Sequence, residues 1–170
     1  MLILRNIAQL YSGESETDQS MLRDVDVFID GEYIHDIQPH DARLSFGGDH
    51  VVLDGSGLVV VPGLIDCHSH LTLLGVSNHD LELTNSQAGM LYIEKILYRT
   101  LVEGCVTTAR DVGGATYAMK QAVEDGLMIG PRMKISVCML STTGGHADFR
   151  SHGRCHADLP RLWPAIPGRP

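Results

Sequence analysis

No stretch of the 170 residues approaches the ~20 consecutive apolar positions that a membrane-spanning helix needs, which excludes a helical membrane protein. The opening MLILRNIAQL has no basic start, long apolar core or small-residue cleavage site, so no secretory signal is expected and the location is read as cytoplasmic. The four cysteines, Cys67, Cys105, Cys138 and Cys155, form no CxxC pair. That spacing excludes a disulfide framework and a zinc knuckle and reads as reduced thiols. Positive charge is scarce as well: 13 Lys and Arg stand against 21 Asp and Glu, for a net charge of −8. No basic stripe with interleaved aromatics appears, and a chain of this sign repels phosphate backbones, so nucleic acid is excluded as a partner.

What remains is the composition of an ordinary globular chain, 44% apolar and 20% charged. The acidity is concentrated at the start, with eleven acidic against three basic residues in 1–60, nine against seven in 61–150 and one against three in 151–170. Residues 1–61 read as strands and tight turns. In Asp24–Asp30, Val25, Val27 and Ile29 alternate with acidic or exposed positions, the period of a half-buried strand. Asp30-Gly31 supplies a turn, and Tyr33–Gln38 returns as the second arm of a hairpin. Val51–Leu53, the Asp54–Gly57 turn and Leu58–Val61 repeat the pattern.

From residue 62 the pattern alternates between strand and helix. Leu64-Ile65-Asp66 leads into a histidine pair, and a helix is expected over Ser86–Glu103, with Thr84 or Asn85 as cap, Gly104 as stop and Met90, Ile93, Leu97 and Leu101 as its buried stripe. A second strand at Cys105–Ala109, a second helix at Tyr117–Glu124 ended by Gly126, and a third strand at Met133–Leu140 follow. Alternating strand–helix units predict an α/β fold with a parallel sheet or the opening of a barrel. Residues 151–170 show no period, carry four prolines and reverse the charge sign, so they read as an irregular Pro-rich tail, the product of a premature end or a shifted reading frame.

The chemistry concentrates in Pro62-Gly63-Leu64-Ile65-Asp66-Cys67-His68-Ser69-His70. On a strand, His68 and His70 point to one face and Cys67 and Ser69 to the other, so both imidazoles reach a single metal ion. Asp66 shares their parity and is placed to hold an imidazole N–H as an orienting carboxylate. Chance pairing is the competing reading of a bare HxH; the apolar strand, the Pro-Gly lead-in and the β-rich region upstream favour the metal.

These residues, with GCVTTARDVGG at 104–114, GPR at 130–132 and STTGGHAD at 141–148, resemble the amidohydrolase superfamily of metal-dependent hydrolases. The nearest branch holds imidazolonepropionases and dipeptidases that cleave before proline or basic residues. The resemblance covers roughly residues 1–150. It implies an N-terminal β-sandwich portion over 1–61 and, over 62–150, the first three βα units of an incomplete (β/α)8 barrel with metal at the C-terminal mouth of its strands. It maps the metal-binding HxH pair onto His68 and His70. The family's carboxylated lysine, its histidines on the fifth and sixth strands and its aspartate on the eighth have no counterpart, since Lys95 and Lys120 fall on helices and Lys134 at the start of the third strand. A full barrel takes ~250 residues, and about 110 follow the β-rich part.

The resemblance further implies a divalent cofactor, zinc first and binuclear only in a full-length relative, and hydrolysis of a C–N bond in an amide, cyclic amide or dipeptide by metal-activated water. His146 lies where the related branch places a substrate-contacting histidine; a surface-loop histidine is the equal alternative. Arg110 and Asp111 at the end of the second strand read as a structural ion pair or as substrate-binding. His152, Cys155 and His156 read as accidental, and His35, His40, His50 and His79 take no functional role. The expected partner is a small-molecule or dipeptide substrate, with self-association or aggregation through exposed half-barrel faces, and the chain by itself is expected to be catalytically incomplete. Two other classes stay open: a non-catalytic binding or assembly module derived from an amidohydrolase, and a small metal-binding β-protein without a barrel.

Overall fold

The structure, a computed structural model, describes residues 1–13, 21–74, 87–142 and 145. It divides into two compact units, Met1–Pro62 and Gly63–Pro170. His146 and the Pro-rich tail lie outside the described residues, as do the expected helix caps Thr84 and Asn85.

The first unit is the β-sandwich portion, seen among the described residues as one five-stranded mixed sheet. Its strands are β1 (Leu2–Tyr11), β2 (Met21–Asp30), β3 (Tyr33–Pro39), β4 (Val51–Asp54) and β5 (Val59–Val60). Strand β1 is central, pairing antiparallel with β2 and parallel with both β4 and β5. Strands β2 and β3 form the expected antiparallel hairpin, with Gly31 in the left-handed region at φ +59°. Ile7, Leu10, Val25 and Val27 form the core.

The alternation read in β2 is not what folding produces: Val25, Asp26, Val27 and Phe28 are all buried. Asp26 tolerates this because it is partnered. Its Oδ1 accepts the Asn6 backbone N–H at 2.7 Å and lies 2.7 Å from His40 Nδ1, while Arg5 Nε stands 3.7 Å from Oδ2, a charge contact beyond hydrogen-bond reach. Asn6, at φ +56°, sits at an irregularity in the β1–β2 register that turns its N–H toward that carboxylate.

The second unit runs β6 (Leu64–Ser69), α1 (Gln87–Val102), β7 (Val106–Asp111), α2 (Tyr117–Glu124) and β8 (Arg132–Ile135). The three strands form a parallel sheet in the order β6-β7-β8, which gives the opening strand–helix units of the barrel: two complete ones and the strand of a third. Helix α1 buries Gly89, Ile93 and Leu97, an i, i+4, i+8 stripe that packs with Ala109 of β7 and Met133 of β8. Met90, expected in that stripe, lies beside it and is exposed. Gly104 does close the helix, donating to the Arg99 carbonyl at 2.8 Å, but the left-handed residue there is Cys105, at φ +55°. Thr116 caps α2, its hydroxyl accepting the Met119 N–H at 3.3 Å, and Gly126 (φ +72°) follows its end.

The third strand is shorter than expected. It stops at Ile135 because the chain turns at Ser136–Val137, where Val137 takes φ +66° and Cys138 donates to the Ser136 carbonyl. A β-branched residue is an outlier in that conformation, and it falls just past the C-terminal end of the strand.

Candidate metal centre

Parallel strands that end side by side bring their C-terminal loops together, and the histidine pair sits at such an end. His68 lies on β6 and His70 immediately after it, both exposed, with ring centroids 5.7 Å apart and planes at 77°. The two imidazoles are neighbours, with His70 just past the end of the strand. The parity expected of Asp66 does not hold. Its carboxylate accepts the backbone N–H of His68 at 2.9 Å and the Ser69 hydroxyl at 2.5 Å, so it touches the main chain of His68 rather than an imidazole. Strict alternation would put Asp66 and Ser69 on opposite faces. The register of β6 against β7 slips between those two residues and lets them meet. The Ser69 hydroxyl, and after it the His68 N–H, holds the Asp66 carboxyl below its usual value.

The ring of His70 is set from the next strand's loop. Its Nδ1 lies 3.2 Å from the Gly113 carbonyl oxygen. A carbonyl can only accept, so Nδ1 is the donor, and in the neutral ring Nε2 keeps its lone pair. That is the arrangement in which a histidine ligates metal while its other nitrogen is anchored.

Arg110 and Asp111 do not form an ion pair. Arg110 is exposed and its Nε donates to the Cys67 carbonyl on β6 at 2.6 Å. Asp111 is fully buried and accepts three backbone N–H groups: Leu71 at 2.8 Å, Gly113 at 3.0 Å and Ala115 at 3.1 Å. This clamp, and the Gly113 carbonyl, are what the sequence reading missed; the signal was the Arg-Asp-Val-Gly-Gly run, where an acid at a strand end precedes a flexible glycine pair. Lys95 and Lys120 lie on α1 and α2 and Lys134 on β8, as expected. Cys67, Cys105 and Cys138 are free thiols.

The donor set fits a divalent ion that accepts imidazole: two rings on one side of a strand end, one of them held in the ligating tautomer. Among the described residues no group of three His, Cys, Asp or Glu side chains converges on a metal position. His68 and His70 are the pair that could hold such an ion.

Comparison with known proteins identifies the family. Residues 59–162, more than half of the chain, match the model of the amidohydrolase family, and the match runs into the Pro-rich stretch from residue 151. Imidazolonepropionase of Picrophilus torridus is 27% identical over 93 residues, covering 55% of this chain and 22% of that protein. Ochratoxinase of Aspergillus niger is 30% identical over 98 residues, 54% of this chain and 19% of its own length. Among solved structures, a prolidase complexed with N-methylphosphonate-L-proline superposes with a TM-score of 0.74 at 31% identity, over 95% of this chain and 38% of the prolidase. The chain therefore spans less than two fifths of the length of each of these relatives. With the family match over the strand that carries His68 and His70, and with the parallel β6-β7-β8 sheet behind it, the chain belongs to the amidohydrolase family.

Proposed function

We propose that this chain supplies the first pair of metal ligands to a hydrolase of C–N bonds, in an amide, a cyclic amide or a dipeptide. The observation that carries the reading is the neighbouring imidazoles of His68 and His70, with the His70 ring anchored through Nδ1 to the Gly113 carbonyl. A divalent ion, zinc first, supplies in such a site a water acidified to act near neutral pH and a polarised carbonyl. The chain's own residues prepare the place. His68 and His70 present the donors, Asp66 fixes the backbone of His68 through its N–H, and Gly113 fixes the His70 tautomer. His146 is assigned to contact with the substrate on the family resemblance.

Two imidazoles are half of a tetrahedral shell, so the 170 residues by themselves are assigned as catalytically incomplete. A binuclear centre belongs to a full-length relative. The acidic balance of the chain supports a small-molecule or dipeptide substrate over nucleic acid, and no helix among the described residues is long and apolar enough to cross a membrane. A cytoplasmic location rests on the sequence features alone.

The test is a chimera in which residues 59–142 replace the matching stretch of the similar prolidase. Metal-dependent cleavage of the peptide bond before proline, lost on His68→Ala, is the expected result. A folded, zinc-loaded chimera without cleavage would refute the reading. The isolated chain with zinc should show no multiple turnover on dipeptides, N-acyl amino acids or imidazolones; turnover abolished by His68→Ala would overturn the incompleteness.

A second reading, a non-catalytic assembly module, is favoured by the apolar side chains left in solvent on the second unit: Leu64 and Ile65 of β6 at 55% and 68% exposure and Leu91 of α1 at 69%. Sedimentation at micromolar concentration separates the two readings, since the module predicts a defined oligomer.

A further inference from the structure

We propose that Asp111 is a positioning residue for the metal centre, holding His70 in its ligating tautomer by clamping the two loops that meet at that ring. The inference rests on reading His68 and His70 as metal ligands and adds the group that orients one of them. Asp111 ends β7 with no exposed surface, and a carboxylate in that position is stable only if its oxygens are hydrogen-bonded. They are, and the donors are not scattered. Oδ2 accepts from Leu71, the residue directly after His70, and Oδ1 accepts from Gly113 and Ala115. Gly113 is the residue whose carbonyl receives the His70 Nδ1–H. One side chain thus ties down the backbone on both sides of the His70–Gly113 hydrogen bond.

The main chain of the same segment extends the clamp to all three strand ends. The N–H of Val112 donates to the Ser69 carbonyl at 2.9 Å, next to His70, and the Asp111 carbonyl accepts from Ser136 just past β8 at 3.1 Å. Gly114 donates to the Val137 carbonyl at 3.4 Å. An exposed imidazole bonded to a flexible glycine carbonyl would sample both tautomers if that carbonyl were free to swing. The buried carboxylate prevents this, because moving Gly113 or Leu71 would leave an N–H and a carboxylate oxygen without partners. Glu103, an exposed acid of the same unit paired with Arg99 at the end of α1, takes no part in this clamp and serves as the control.

Asp111→Asn is nearly isosteric but keeps one acceptor oxygen. Its NH2 must face either the Leu71 N–H or the Gly113 and Ala115 N–H groups, so one side of the clamp opens. The readout is the 15N spectrum of the imidazoles in the metal-free chain, which separates a protonated ring nitrogen from one with a free lone pair, beside circular dichroism to establish folding. In the parent, His70 should show a protonated Nδ1 and a bare Nε2. In Asp111→Asn the two nitrogens should move toward averaged values, and in Glu103→Gln the His70 pattern should stay as in the parent. A folded Asp111→Asn variant with the parental His70 tautomer overturns the proposal. If that variant fails to fold, the parent still decides: a protonated Nε2 in the parent overturns it. Zinc titration of the same samples should show affinity about 10- to 100-fold weaker in Asp111→Asn. Zinc binding by the parent that ignores His68 and His70, with the tautomer shift intact, would defeat the metal reading and leave the hold of Asp111 on His70 standing.

Discussion

Gly114 is the position where a single added methyl group should do most to disturb the loop beside His70. Its φ of +121° lies where side-chain-bearing residues are strained, and a Cβ built there would come within 2.1 Å of the Thr72 hydroxyl oxygen. Thr72 is 1% exposed and β-branched, so it has little room to yield. Backbone strain of this kind costs about 1–3 kcal/mol, and forcing a methyl into a filled site costs a further ~1–3 kcal/mol. Gly114→Ala should therefore destabilise the second unit by about 2–6 kcal/mol. Thr72→Ala separates the two contributions. Its hydroxyl is buried without a hydrogen-bond partner among the described residues, so removing it relieves a desolvation cost that offsets the lost packing, and the single variant should stay within about 1 kcal/mol of the parent. Combined with Gly114→Ala it should restore the overlap share and leave the backbone share. Urea unfolding followed by circular dichroism, with amide exchange at Ile93 and Leu97 to report on the second unit, measures all four proteins. A double variant as unstable as Gly114→Ala would refute the overlap, and complete recovery would refute the strain.

In the first unit, His40→Ala removes a hydrogen-bond partner from the buried Asp26 carboxylate and should cost about 1–3 kcal/mol. Arg43→Ala at the exposed Asp41 pair should cost under about 1 kcal/mol, and equal losses by urea unfolding would contradict the distinction. Asp54 is held below its usual carboxyl value of 3.8 by the Ser56 hydroxyl and then the Ser56 N–H. A depressed carboxyl stabilises the fold above 3.8 and loses that contribution as pH falls through its lowered value. Ser56→Ala should move Asp54 back toward 3.8 in a carbon NMR titration; an unmoved Asp54 would show that the hydroxyl is not the cause.

The parts of the fold that follow local rules were legible in the sequence. The β2–β3 hairpin announced itself through Asp30-Gly31, and α2 was legible to the residue from its length and Gly126. Central strand β1 was harder to place, because its buried Ile3, Ile7 and Leu10 are spaced like a helix face and polar Arg5 and Asn6 interrupt the alternation. The register irregularity at Asn6 that permits this depends on the distant Asp26. The same limit explains the site. The HxH spacing alone made His68 and His70 legible as neighbours. Asp66 turning to the main chain, and Asp111 serving two loops instead of Arg110, depend on register slips and on loops that meet only after the sheet has formed.

Isothermal titration of zinc into the intact chain and into the His68→Ala, His70→Ala double variant tests the central claim most directly. Weak binding in the parent is predicted, because two imidazoles leave the other positions to water, and that binding should disappear in the double variant. Unchanged affinity in the variant would place the metal elsewhere and contradict the account.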